Sequence, residues 1–121
     1  MNTWVWVGVV LLGGVGAIGR FLLDSVISGR VGGDFPFGTL TINVSGALLL
    51  GLLTGLAAGG DLLVLAGTAT LGSYTTFSTW MFESHRLAED AEIPGAIVNV
   101  LLSLAVGVGA AALGRTIGMH A

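Results

Sequence analysis

An asparagine, a cluster of hydroxyls and two aromatic rings lie inside stretches of this chain that carry no charge. Thr39 and Asn43 are four residues apart and so share one helical face. An amide in hydrocarbon is costly without a partner, and its N–H groups can serve an interhelical hydrogen bond or an anion in a pore. Asn99, Ser103 and Gly107 recur at i, i+4 and i+8, a second polar stripe that reads as helix glue or as a track. The richest segment is Gly72-Ser73-Tyr74-Thr75-Thr76-Phe77-Ser78-Thr79. Gly72 and Ser73 permit a helix break. A break frees main-chain carbonyls, which are hard oxygen ligands for a small cation such as Na⁺. Thr75, Thr76, Ser78 and Thr79 add hydroxyls. Phe77 and Trp80 are three apart and point to similar sides. Ring edges are positive and can receive an anion without a formal charge, although plain packing is the commoner fate of a membrane aromatic.

Other chemistry has little support. Asp24, Asp61 and Glu83 fall at the ends of the apolar stretches, so no carboxylate is expected at mid-membrane, as a proton-coupled pump or cation exporter would need. Arg20 either snorkels to the surface or sets a positive potential at the mouth of an anion path. His85 and His120 lack metal-ligand spacing. Ser45, Ser78 and Ser103 lack an evident base, so no enzyme is expected. Cysteine is absent, which removes disulfides and thiolate ligands. No basic cluster exists for nucleic acid.

These groups must be positioned by membrane helices. The 121-residue chain has no lysine, and its uncharged runs cover Met1–Gly19, Phe35–Gly60, Leu62–Phe82 and Ile93–Gly114. Each supplies the roughly 20 residues a membrane helix requires. The expected organisation is a single all-α integral membrane domain, 1–121, with spans at about 4–23, 38–58, 62–82 and 94–113. The third span is broken by the polar segment. A soluble apolar bundle is disfavoured by four full-length spans with turn signals between them. A cleaved leader is disfavoured because nothing basic precedes the first run. Trp4 and Trp6 suit an interfacial anchor, and Pro94 suits the first turn of the last helix. Gly46, Gly51, Gly107, Gly109 and Ala111 read as close-packing faces. Arg20, Arg30 and Arg86 lie on one side and Arg115 on the other, a bias weak enough for insertion in both orientations. Four short helices do not readily enclose a pore, so an oligomer is expected.

The segments Gly13-Gly14-Val15-Gly16-Ala17-Ile18-Gly19-Arg20-Phe21, Gly38-Thr39-Leu40-Thr41-Ile42-Asn43-Val44-Ser45-Gly46 and Gly72 to Trp80, with Glu83 just after, carry a resemblance over the whole length. The chain resembles the Fluc (CrcB-type) fluoride channel family. The resemblance implies an antiparallel, dual-topology dimer in the inner (plasma) membrane, with two fluoride pathways at the subunit interface. It implies a structural Na⁺ at the dimer centre, held by main-chain carbonyls of Gly72 and Thr75. Pathway roles fall on Asn43, Phe77 and Ser103, with Thr39 on the Asn43 face, and Arg20 matches the arginine of span one. Two positions depart from the family. Trp80 stands where a second Phe is usual, and Gly107 stands where some members carry a hydroxyl. They bear on whether two identical subunits or an unlike pair assemble. The expected function is passive fluoride export. The competing readings are a small multidrug exporter, which would need a glutamate that span one lacks, and a non-transporting scaffold.

Overall fold

Asn2 starts the first helix: its side-chain oxygen accepts the Val5 N–H at 2.9 Å, satisfying one of the donors a helix N-terminus leaves open. The computed structural model describes residues 2–121, and its regular structure is entirely helical. Helix α1 runs Thr3–Val31, and Gly32 and Gly33 end it with φ of 67° and 78°. That is the left-handed conformation glycine reaches without a steric penalty. Helix α2 spans Phe37–Gly55. After a short turn, α3 (Gly60–Leu62) continues into a π-helical segment, Leu63–Leu71, and into α4 (Gly72–Tyr74). Thr75, Thr76 and Phe77 leave the helix, and α5 resumes at Ser78–Glu89. Helix α6 spans Ile93–Met119 with proline in its first turn.

Three helices, α1, α2 and α6, are long and apolar enough to cross a bilayer. Both α1 and α6 outrun the expected spans, because charge does not stop a helix whose backbone bonds are already made. Asp24 and Arg30 extend α1, and Arg115 lies within α6. The stretch expected as a third span is not one continuous helix. The interruption also falls later than the glycine suggested. Gly72 is helical at φ −62°, ψ −38°, and the backbone turns away at Thr75, at φ −80°, ψ 161°.

The bundle closes by backbone contact. Helices α2 and α6 pack so tightly that a Cβ at Gly51 would overlap the Ala111 carbonyl oxygen, one at Gly55 the Arg115 carbonyl, and one at Gly114 the Leu48 carbonyl. Small residues permit this approach where no water drives helices together. Gly46 and Gly51 thus pack as expected, whereas Gly107 and Gly109 face no neighbouring atom within 4 Å. Gly114 and Gly118 take the contact instead. Helix α1 lies on the π segment. A Cβ at Gly16 would strike the Thr70 carbonyl and the Ser73 hydroxyl.

Candidate functional site

Asn43 grips the interruption from α2. Its Nδ2 donates to the Thr76 carbonyl at 2.8 Å, and its Oδ1 accepts the Thr76 N–H at 2.8 Å. The amide has two N–H donors, so one remains after this pairing. Gly46, three residues on, makes room: a Cβ there would overlap the Thr75 methyl group. The Ser45 and Tyr74 hydroxyls meet at 2.8 Å beside it. Asn43 is therefore both the interhelical glue and a polar group left on a cavity wall.

Two clefts share that wall. The larger, about 660 Å³, is lined by Asn43, Gly72, Thr75, Thr76, Phe77 and Trp80 together with mostly apolar residues of α2 and the π segment, Thr54 and Thr68 among them. The smaller, about 250 Å³, is lined by Asn43, Trp80, Ser103, Gly107, Val108 and Ala111 among others. Asn43 and Trp80 face both. Phe77 is 69% exposed, and its ring meets Trp80 edge-on, centroids 5.7 Å apart at 86°. The structure thus gathers Asn43, Phe77, Trp80 and Ser103. Thr39 lines neither cleft. It is buried one turn away, beside Glu83. Arg20 is half-buried on α1, one turn beyond Gly16, whose backbone packs on Thr70 and Ser73.

A polar network stands behind Trp80. Its indole N–H donates to the Asn99 carbonyl at 3.1 Å. Asn99, 1% exposed, donates from Nδ2 to the Ser84 hydroxyl at 2.8 Å, and Ser84 donates to the Trp80 carbonyl at 2.9 Å. The Ser103 hydroxyl lies 3.4 Å from Asn99 Oδ1, a long and weak bond. The indole N–H is therefore spent within the chain, on a main-chain carbonyl of α6, and is not offered to either cleft. Asn99 had a visible signal, its i, i+4 relation to Ser103, but its role as hub depends on Ser84 and Trp80, which sequence spacing does not bring together.

At the interruption the four carbonyls from Gly72 to Thr75 lose their usual helical donors, and for Gly72 and Thr75 the lost donor has gone to a side chain. In a continuous α-helix the Thr76 N–H would bond to the Gly72 carbonyl, and the Thr79 N–H to that of Thr75. Here the Thr76 N–H goes to Asn43, and the Thr79 N–H goes to the Thr76 hydroxyl at 3.2 Å. No backbone N–H reaches either carbonyl in their place.

One end of the molecule is acidic. Asp34, Glu83, Arg86 and Asp90 surround a polar recess of about 190 Å³, and Glu83 Oε1 is buried there without a hydrogen-bond partner. In the adjoining loop, the hydrogen bond and charge of Asp34 push the Glu92 carboxyl above the usual carboxylate range.

Fold and site together define an integral membrane protein whose neutral polar groups converge on paired clefts beside an interrupted helix. The chain belongs to the CrcB family: residues 7–115 match the family described as CrcB-like protein, Camphor Resistance (CrcB). It is 50% identical over 113 residues to a protein of Mycobacterium tuberculosis named fluoride-specific ion channel FluC 2, covering 93% of this chain and 90% of the relative. It is 43% identical over 122 residues to the fluoride-specific ion channel FluC 1 of Symbiobacterium thermophilum, covering 96% and 97%. A FluC 1 of Leifsonia xyli subsp. xyli is 39% identical over 122 residues, covering 98% and 89%.

Proposed function

We propose that this chain is a fluoride-selective channel, not an enzyme, and that it lets fluoride leave the cytoplasm passively across the plasma membrane. The observation that carries this is the wall shared by the two clefts, where Asn43, with one N–H to spare, and Trp80 face both, while Phe77 lines the larger. Family membership and the names of the relatives support the same reading. Fluoride is small and strongly hydrated, so a path must replace its water with close donors. An amide N–H, a hydroxyl and ring edges do so without a fixed cation that would hold the ion too long. Ser103 belongs to this set because its bond to Asn99 is weak enough to be exchanged.

The working unit is an antiparallel, dual-topology homodimer of four-span subunits, with 60–89 forming one interrupted crossing. Bare carbonyls and an exposed Phe77 on an open cleft support a second subunit, since unpaired backbone groups in lipid cost several kcal/mol each. The Gly72 and Thr75 carbonyls are uncharged hard oxygens without donors on the same cleft, and so fit a Na⁺. They would hold it between subunits, where it supplies a fixed positive charge and joins the two interruptions. Arg20 adds positive potential near the pathway mouth. In such a dimer Phe77 of each subunit faces Trp80 of the other.

Proteoliposomes containing only this chain, loaded with fluoride or chloride and followed by ion electrode, test the reading. Rapid fluoride efflux with chloride retained is expected. Equal release of both ions removes the selectivity claim, and no release from protein shown to be dimeric removes the homodimeric channel.

A further inference from the structure

Of the four open carbonyls, those of Gly72 and Thr75 are the two whose ordinary donors are held by a side-chain acceptor. Asn43 Oδ1 occupies the Thr76 N–H at 2.8 Å, which removes the ordinary partner of the Gly72 carbonyl. Thr76 Oγ1 occupies the Thr79 N–H at 3.2 Å, which removes the ordinary partner of the Thr75 carbonyl. Thr76 acts here as a helix cap for α5, taking a donor that the helix start would otherwise leave open. Without either acceptor, the freed N–H can return to its carbonyl, and Thr75 can relax from its extended conformation toward the helix. We infer that Asn43 and Thr76 are the positioning residues that keep the Gly72 and Thr75 carbonyls open to a cation, with Asn43 serving both the cation site and the anion path. The inference rests on the Na⁺ reading above for the identity of the cation. The diversion of the two hydrogen bonds is measurable without it.

The coupling follows from valence. Asn43 has one acceptor oxygen and two N–H donors. Oδ1 frees the Gly72 carbonyl, one N–H holds the Thr76 carbonyl, and the second N–H remains on the cleft wall. Displacing this amide therefore disturbs both sites, whereas displacing the Thr76 hydroxyl disturbs the cation site first.

The sequence contains one Thr-Thr and one Gly-Ser pair, Thr75-Thr76 and Gly72-Ser73. Labelling the first residue at its carbonyl carbon and the second at nitrogen gives one resonance for each carbonyl in solid-state NMR of the full chain in bilayers. The Thr76→Val and Thr76→Ser chains keep a unique Thr-Val or Thr-Ser pair. In the wild type both carbonyls are expected at unbonded positions and should shift when Na⁺ replaces a large organic cation. Thr76→Val keeps the shape but removes the acceptor. Its Thr75 carbonyl should move to the helical position, and its Na⁺ response should weaken at least tenfold. Thr76→Ser should retain the wild-type spectrum and Na⁺ response. Asn43→Leu should move the Gly72 carbonyl in the same way. A Thr76→Val spectrum and Na⁺ titration matching wild type would overturn the inference. If the carbonyls move as expected but wild type never responds to Na⁺, the diversion stands and the Na⁺ reading falls.

Discussion

Replacing Trp80 by Phe removes one hydrogen bond and one ring edge from the wall between the clefts, and the structure bounds what that does. The indole N–H donates to a main-chain carbonyl of α6, not into either cleft. That carbonyl keeps its place in the α6 ladder, so its loss of the indole leaves no bare acceptor. The cost is then that of a neutral hydrogen bond, about 1 kcal/mol net. The same bond restrains the ring against Phe77. If all of that restraint were felt in the barrier to conduction, about 1 kcal/mol would change the rate by roughly fivefold. Trp80→Phe is therefore expected to keep fluoride efflux within about fivefold of wild type, or to raise it, because the smaller ring widens both clefts. Efflux from proteoliposomes at matched dimer content measures this. A fall beyond about tenfold in intact dimer would refute the reasoning, since it would require the indole N–H to serve the ion and not Asn99.

Asn43→Asp places a carboxylate oxygen against the Thr76 carbonyl where an N–H now donates at 2.8 Å, and it puts a negative charge on the pathway wall. Fluoride efflux should drop at least about a hundredfold, nearly 3 kcal/mol of barrier; unchanged efflux in assembled protein would return Asn43 to a packing role alone. Gly114→Val drives a side chain into the Leu48 carbonyl and close to the Leu52 N–H, both backbone atoms that cannot swing aside. It should cost about 1–3 kcal/mol or more and lower the melting temperature in detergent, whereas Gly107→Val, with no atom within 4 Å, should fold normally. Equal stability of the two variants would count against the backbone-to-backbone contact of α2 and α6.

The class and the polar residues of the clefts were legible from the chain because both leave local marks. A membrane span is a property of composition, and a polar residue within one stands out against it. Asn43, Phe77, Trp80 and Ser103 stand out in this way, and the structure brings them onto the two clefts. The position of the interruption was not legible, because it depends on partners distant in sequence. Gly72 looks like the weak point, yet it stays helical, and the backbone departs at Thr75 where Asn43, over thirty residues earlier, takes the Thr76 N–H. Thr39 shares a helical face with Asn43 but not its surroundings: one turn earlier on α2, its neighbour is Glu83, not a cleft. The same distance effect hid the spent indole N–H of Trp80. Which glycines pack was half readable: small residues mark the helix, but only the crossing of α2 and α6 decides that Gly114 meets backbone and Gly107 does not.

Helix α2 has 19 residues and measures about 29 Å along its axis, close to the roughly 30 Å of a bilayer's apolar core. A helix of that length has nothing to spare for tilting. Helix α6, with 27 residues and about 40 Å, can lean and still span. In a thicker bilayer the mismatch falls first on α2, at a cost of fractions of a kcal/mol per ångström. Asn43 rides on α2 as its seventh residue, and through it so do both hydrogen bonds to the interruption. Lipid chain length is thereby a mechanical input to the ion path, and the elasticity of the surrounding membrane becomes part of the channel's working parts.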